Sequence, residues 1–479
     1  MVDMSRARTP PAILMALTAA TLTASLGISI TSVLLPTLAR SFSATVSDVQ
    51  WVVLAYLITV TVTIVSAGRL GDLFGNRRVL TAGLVVFITA SVLNAVAPSL
   101  SLLIAGRALQ GLGGAILIAL PMSVARNLVP TERLGTAMGL LGTTSAVGTA
   151  LGPSLGGLLL AWGDWRLAFW LLSGFACLTL LMSVFSIPRA FERKGTSFRE
   201  LDLPGTFLLV FALSAYALAA SGGAAGVPVS PGVLFTVALV TIVLFVIVEA
   251  RVASPLVPMS MLFDRTAGLG FFMNVAVGTI MMSTLVVGSF FLAFSLGLNE
   301  TFIGLVLAVG PATAALSGFP AGRLTDRLGA GRVMVFGLLQ TMLGLLCLAL
   351  LPRCFGVGGY VVALIVLTPG FQMFLAANNT TVMADAALEQ RGRLSGLLGL
   401  SRNLGLMTGT SVMSTLFITI LGTDDATRAP ADDVAHAFST TFLVAAGLAL
   451  ATLGLAIFSR DGRNRKRPAQ RREVIENEE

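Results

Sequence analysis

Gly68-Arg69-Leu70-Gly71-Asp72-Leu73-Phe74-Gly75-Asn76-Arg77-Arg78 is a basic, glycine-rich string set between two charge-free apolar runs, 49–68 and 79–106. A helix needs about 20 apolar residues to cross the hydrocarbon core of a bilayer, and each flanking run is long enough. The string therefore reads as a loop joining two membrane spans. Gly68 and Gly71 allow close backbone packing, Gly75 permits a tight turn, and Asp72 either caps a helix start or pairs with Arg77 and Arg78.

The same alternation runs through the whole chain. Of its 479 residues 55% are hydrophobic and 11% charged, against about 25% charged in soluble domains. The bilayer is thus the expected solvent. A net charge of +8 raises nucleic-acid binding as a reading, but the basic residues sit in short segments between apolar runs, where membrane topology explains them. Cys177, Cys347 and Cys354 show neither paired spacing nor a C-x-x-C, so no disulfide or thiol chemistry is implied. The first run, 9–39, exceeds a signal-peptide core and reads as a retained span.

Reading from charge to charge gives further runs at 108–125, 134–163, 167–188, 203–248, 266–299, 301–322, 333–352, 354–384, 394–423 and 434–459. The run 203–248 divides at Gly222, Gly223, Gly226, Pro228, Pro231 and Gly232 into two helices. The expectation is an all-α membrane protein of fourteen transmembrane helices. With the N-terminus in the cytoplasm, only Arg40, Arg166, Arg353 and Arg428 fall outside, and Arg107 and Arg402 lie within spans; all other Lys and Arg are cytoplasmic. The positive-inside rule then puts both termini in the cytoplasm.

Two internal echoes organise the spans. GLLGTTSAVGTALG at 139–152 and GLLGLSRNLGLMTG at 396–409 repeat four glycines in register, and GRLGDLFG at 68–75 returns as GRLTDRLG at 322–329. The expected division is a six-helix bundle at 1–188, a loop with two extra central helices at 189–265, a second six-helix bundle at 266–459 and a cytoplasmic tail at 460–479. Two repeats packed around a central cavity suit alternating access, in which one half rocks against the other.

The 68–78 string resembles the signature loop of the major facilitator superfamily, which implies the major facilitator fold and gives Gly68, Asp72, Gly75, Arg77 and Arg78 a part in a conformational latch. Asn76 stands where that loop is usually basic, implying a smaller charge network. Arg107-Ala108-Leu109-Gln110-Gly111-Leu112-Gly113 resembles a second motif of the superfamily, whose arginine assists proton transfer. An arginine inside the membrane costs about 2.5–3.5 kcal/mol on insertion scales, so Arg107 either faces a cavity or partner, or snorkels to the outer interface. Gly148-Thr149-Ala150-Leu151-Gly152-Pro153-Ser154-Leu155-Gly156-Gly157 resembles the antiporter motif of exporters. Its Gly148, Gly152, Pro153 and Gly156 either bear on the direction of transport or serve static close packing.

Further matches at 48–56, Trp165-Arg166, Glu249, Pro255-Leu256-Val257-Pro258 and 401–405 are similar to the fourteen-span drug:proton antiporter family of multidrug and antibiotic-resistance exporters. That resemblance covers nearly the whole chain. It implies a bacterial inner-membrane exporter, acting as a monomer on a small-molecule substrate with protons, within the lipid bilayer and without nucleic acid, cofactor or metal. Many such exporters carry an aspartate in the first span where this chain has Gly27, and no Asp or Glu lies in the middle of any span, which disfavours cationic substrates. Arg107 and Arg402 are the candidate cavity charges. Ser29, Thr31, Gln110, Asn274, Asn378 and Asn403 are the polar candidates for the cavity, with helix–helix hydrogen bonding as their alternative role. A facilitator or importer on the same fold, or a membrane sensor or scaffold, are the rival functions. One histidine and three scattered cysteines supply no nucleophile–base pair, so no enzyme is expected.

Overall fold

A computed structural model describes residues 11–128, 131–187, 202–220, 229–252, 255, 257, 259–384, 388–423 and 425–476. Among them every regular element is helical, and eleven helices are long and apolar enough to cross a membrane. In chain order they are α1 (Pro11–Phe42), α2 (Val46–Val49), α3 (Trp51–Phe74), α4 (Asn76–Ala95), α5 (Leu100–Leu128), α6 (Thr131–Trp162), α7 (Arg166–Ser186), α8 (Leu203–Ala220) and α9 (Pro231–Glu249). They continue as α10 (Met259–Leu262), α11 (Arg265–Phe290), α12 (Glu300–Leu328), α13 (Ala330–Met383), α14 (Leu388–Thr408), α15 (Ser414–Leu421) and α16 (Ala431–Glu476). Five-residue π-helical stretches, Phe291–Ser295 and Gly409–Met413, extend α11 and join α14 to α15.

Acidic residues stand at helix ends, and those at N-termini also gain from the helix dipole. Asp48 and Thr45 form a reciprocal capping box on α2. Asp202 accepts the Gly205 backbone N–H at 2.9 Å at the start of α8, and Glu249, ending α9, accepts that of Val257 at 3.1 Å. One boundary differs from the charge-to-charge reading. The turn between the third and fourth spans falls at 96–99, so Arg107 lies two turns inside α5 rather than at its edge. A single buried charge inside a helix does not end it; the unpaired backbone around Pro98 does.

The chain divides into two compact units. The larger holds residues 1–258, 282–312 and 407–438; the smaller holds 259–281, 313–406 and 439–479. In the larger unit α1 packs along α6, α3 and α4 along α5, and α4 along α7. The hairpin α8–α9 rests on α3 and on the 409–413 stretch, where two hydrogen bonds bracket the π-helical turn: Tyr216 Oη donates to Thr408 Oγ1 at 3.0 Å, and Thr415 Oγ1 to Ala220 O at 2.8 Å. In the smaller unit α13 is two helices broken at Gly356 (φ 53°, ψ −132°).

Two glycines make sharp turns that other residues resist. Gly75 (φ 91°, ψ 127°) joins α3 to α4, and Gly329 (φ 84°, ψ 141°) joins α12 to α13. A side chain there adopts backbone angles that cost about 1–3 kcal/mol. Gly75→Ala and Gly329→Ala are each expected to lower the thermal unfolding midpoint of the purified protein. Gly174→Ala, on an open helix surface with nothing within 4 Å of the added carbon, is expected to lower it little or not at all. Equal losses at all three positions would contradict the turn assignment.

Candidate functional site

Arg107, Gln110, Gly111 and Gly114 recur at helical spacing and present one stripe of α5 to α3. A Cβ on Gly111 would come within 2.7 Å of Tyr56 O, and one on Gly114 would meet the Tyr56 hydroxyl. Their absence lets α3 approach until the Tyr56 ring lies beneath the Arg107 guanidinium, 4.3 Å from ring centroid to guanidinium carbon. Arg107 is fully buried. Its Nε donates to Val52 O at 2.8 Å and its Nη1 to Gln110 Oε1 at 2.5 Å.

The network spreads from there. Gln110 Nε2 donates to Ser91 Oγ at 2.7 Å, Ser91 Oγ donates to Phe87 O at 2.7 Å, and Asn94 Nδ2 donates to Gln110 Oε1 at 3.3 Å. Tyr56 Oη donates to Ala24 O at 3.1 Å, bringing in α1. Among the described residues no carboxylate contacts Arg107. Its charge is met by carbonyl and amide dipoles and an aromatic face, the last worth about 2 kcal/mol when desolvated. Of the two readings the sequence left open, snorkelling to an interface does not fit a fully enclosed side chain. Val52, Tyr56, Ser91 and Asn94 were not picked out as partners. The signal for the last two is three-residue spacing of small polar groups inside an apolar helix.

The glycine run of α6 meets α1. A Cβ on Gly148 would come within 2.7 Å of Ser25 Cβ, one on Gly152 within 2.7 Å of Ile30 N, and one on Gly156 within 3.1 Å of Ile30 O. Ser29 Oγ hydrogen-bonds Ser25 O and Gly148 O, both at 3.2 Å, and Thr31 Oγ1 reaches Gly27 O at 3.5 Å. The other side of the run meets α12: a Cβ on Gly157 would lie 2.5 Å from Gly304 Cα, and one on Gly304 2.8 Å from Pro153 O. Beyond this contact Arg40 pairs with Glu300 at 3.2 Å and stacks over Phe294. Neither contact was foreseen, because each joins residues far apart in sequence.

A Cβ on Gly27, where many such exporters carry an aspartate, would sit 3.1 Å from Phe87 Cζ and 3.3 Å from Tyr56 Oη, so the position is filled by rings, and an aspartate there would displace them. In the loop motif, Gly75 makes its turn, Arg77 Nη2 donates to Val184 O at 2.7 Å, and Arg78 is exposed. The surroundings of Gly68 and the side chain of Asp72 lie outside what the structure describes.

In the smaller unit Asn274 Nδ2 donates to Leu398 O and Ser401 Oγ, both at 2.9 Å, and Asn378 Nδ2 to Gly270 O at 3.2 Å. Gly278 and Gly405 bring α11 against α14, and Asn403 is buried. Arg402 is half-buried and makes no side-chain hydrogen bond or ion pair with any described residue.

The sequence profile of the Major Facilitator Superfamily matches residues 17–294 and 267–477. The chain belongs to that superfamily. This superfamily member is 27% identical over 432 residues to riboflavin transporter RibZ of Clostridioides difficile (strain 630), covering 90% of this chain and 93% of RibZ. It is 28% identical over 390 residues to multidrug resistance protein Stp of Mycobacterium tuberculosis (strain CDC 1551 / Oshkosh), covering 81% of this chain and 72% of Stp. The inward-facing, occupied structure of a bacterial homologue of the human lysosomal transporter Spinster has the same fold, with a TM-score of 0.70 at 14% identity over 95% of this chain and 98% of that one. The protein is a multi-pass membrane transporter of the major facilitator type and not an enzyme.

Tyr56 and Gly114 test the buried network. Gly114→Ala is expected to destabilise the protein by about 1–3 kcal/mol through overpacking. In a Tyr56→Phe background the hydroxyl is gone and the penalty should shrink by at least half. Additive losses in the double-mutant cycle, read from unfolding midpoints, would show that the two groups do not touch.

Proposed function

We propose that this protein is a proton-coupled exporter of drugs or small metabolites that works by alternating access. The observation that carries this reading is the bare-backbone contact of Gly157 on α6 with Gly304 on α12, reinforced by the Arg40–Glu300 pair. A seam without side chains opens and closes at little packing cost, whereas interdigitated side chains would have to repack. By the basic-residue count this seam lies on the outer side, so its closure corresponds to an inward-facing state. Both termini are then cytoplasmic, in a bacterial inner membrane.

The helix count supports a fourteen-span arrangement. Division of α13 at Gly356 and addition of the two shorter apolar helices, 147–162 and 204–220, bring the eleven long helices to that number. Matching positive-φ glycines at 75 and 329, and glycine contacts of α6 on α1 and of α14 on α11, support two six-helix repeats with α8 and α9 between them. In this scheme Gly68, Asp72, Gly75, Arg77 and Arg78 form the latch. Arg107 serves proton coupling through its network, since a change in the hydration of so enclosed a charge alters its neighbours' bonding.

Inside-out vesicles carrying the protein are expected to take up fluorescent amphiphiles when acidified inside, and to lose uptake on addition of a protonophore. Gly157→Val places a branched side chain against Gly304 and should abolish uptake while leaving membrane insertion intact. Arg40→Ala should raise cysteine-reagent labelling of a probe introduced at Phe294. Proton-independent, bidirectional flux would instead favour a facilitator, the reading that similarity to a riboflavin transporter keeps in view.

A further inference from the structure

Two arginines lie within the membrane spans, and the protein treats them differently. Arg107 places Nε on Val52 O, Nη1 on Gln110 Oε1 and its charge on the Tyr56 face, leaving Nη2 buried without a partner. Arg402 makes no hydrogen bond, ion pair or ring contact with any described side chain. Its Nε is buried without a partner, while its two terminal nitrogens keep accessible surface. The fork is held by its stem and its donors are left open.

Depth makes this costly. Arg402 lies nine residues beyond Arg393 on α14, about 13 Å along the helix axis, and six residues inside the apolar span Gly396–Leu421. The neighbouring polar groups are neutral: Ser401 Oγ and Asn274 Nδ2 bond one another, and Gly278 packs onto the Arg402 carbonyl, fixing α14 against α11. Among the described side chains of the smaller unit before α16 the carboxylates are Asp264, just ahead of α11, and Asp326, at the far end of α12, and neither pairs with Arg402. A guanidinium with two accessible donors, at this depth and without a protein anion, matches a planar oxyanion in charge and geometry.

We infer that Arg402 is the binding group for an anionic moiety, a carboxylate, sulfonate or phosphate ester, on the transported compound. The inference rests on the transporter reading above and names its substrate class. The compound supplies the counter-charge that the fold withholds, so the unliganded site carries a standing electrostatic cost that binding relieves. A neutral analogue of the same shape gains only the apolar part. An anionic lipid headgroup shares the chemistry but belongs at the interface, about 9 Å short of Arg402 along the helix.

The test uses the purified full-length protein in phosphatidylcholine nanodiscs, with naphthalene-2-sulfonate, 2-naphthoate and 2-naphthyl phosphate as probes and 2-naphthylmethanol as their neutral counterpart. At least one anion should raise the unfolding midpoint and bind tenfold or more tightly than the alcohol. Arg402→Gln should erase that preference, and Arg402→Lys should keep part of it. Without probe, Arg402→Gln should unfold at the same or a higher temperature, since an uncompensated charge is removed; a merely structural arginine would give a lower one. The inference is overturned if no anion is preferred, if Arg402→Gln keeps the preference, or if phosphatidylglycerol in the nanodiscs abolishes it for the wild type, which would make lipid the occupant. Vesicle uptake is scored separately. Failure of proton-driven uptake alongside intact anion binding would sink the exporter reading and leave the site standing.

Discussion

Helices inside a bilayer gain little by burying apolar surface against one another, because lipid tails are as apolar as leucine. What holds them is close contact and satisfied polar groups, and in this transporter both depend on missing side chains. Gly111 and Gly114 let α3 slide under α5, Gly148 and Gly152 seat α1 in α6, and Gly278 and Gly405 join α11 to α14. Each close approach brings hydroxyls and amides within reach of a neighbour's backbone. Ser29 bonds the Gly148 carbonyl and Asn274 the Leu398 carbonyl for this reason.

The same constraint explains how a fully buried guanidinium is tolerated at Arg107. Its surroundings are built from dipoles and a ring, so it adds no second buried charge needing a partner of its own. Rearrangement of any one of α1, α3, α4 or α5 disturbs several bonds together, since Gln110 alone bonds Arg107, Ser91 and Asn94. Arg402 lacks such a shell. Two residues of one type at similar depth are thus met differently by the fold, and only their surroundings separate them.

Much of the architecture was legible because the bilayer imposes it. Long apolar runs, short basic loops and turn glycines are one-dimensional signals, and they located the helices to within a few residues through most of the chain. Boundaries slipped where a charge was taken as an edge, as at Arg107. Gly75 could be assigned its turn from sequence since no other residue favours that backbone geometry. Gly27 could not be placed: whether a helical position faces a cavity or the rings of Phe87 and Tyr56 depends on neighbours more than 25 residues away.

By itself the sequence determined that this chain is helical, that it lives in a membrane, and which motifs mark it as a superfamily transporter, because hydropathy, spacing and glycine placement are local properties. Only the tertiary structure decided which polar residues are consumed by helix packing and which remain open. Arg107 and Arg402 read alike along the chain, each a lone cation in an apolar run. Whether a donor finds an acceptor is a matter of distances of about 3 Å between separate helices, and those exist only once the helices have met.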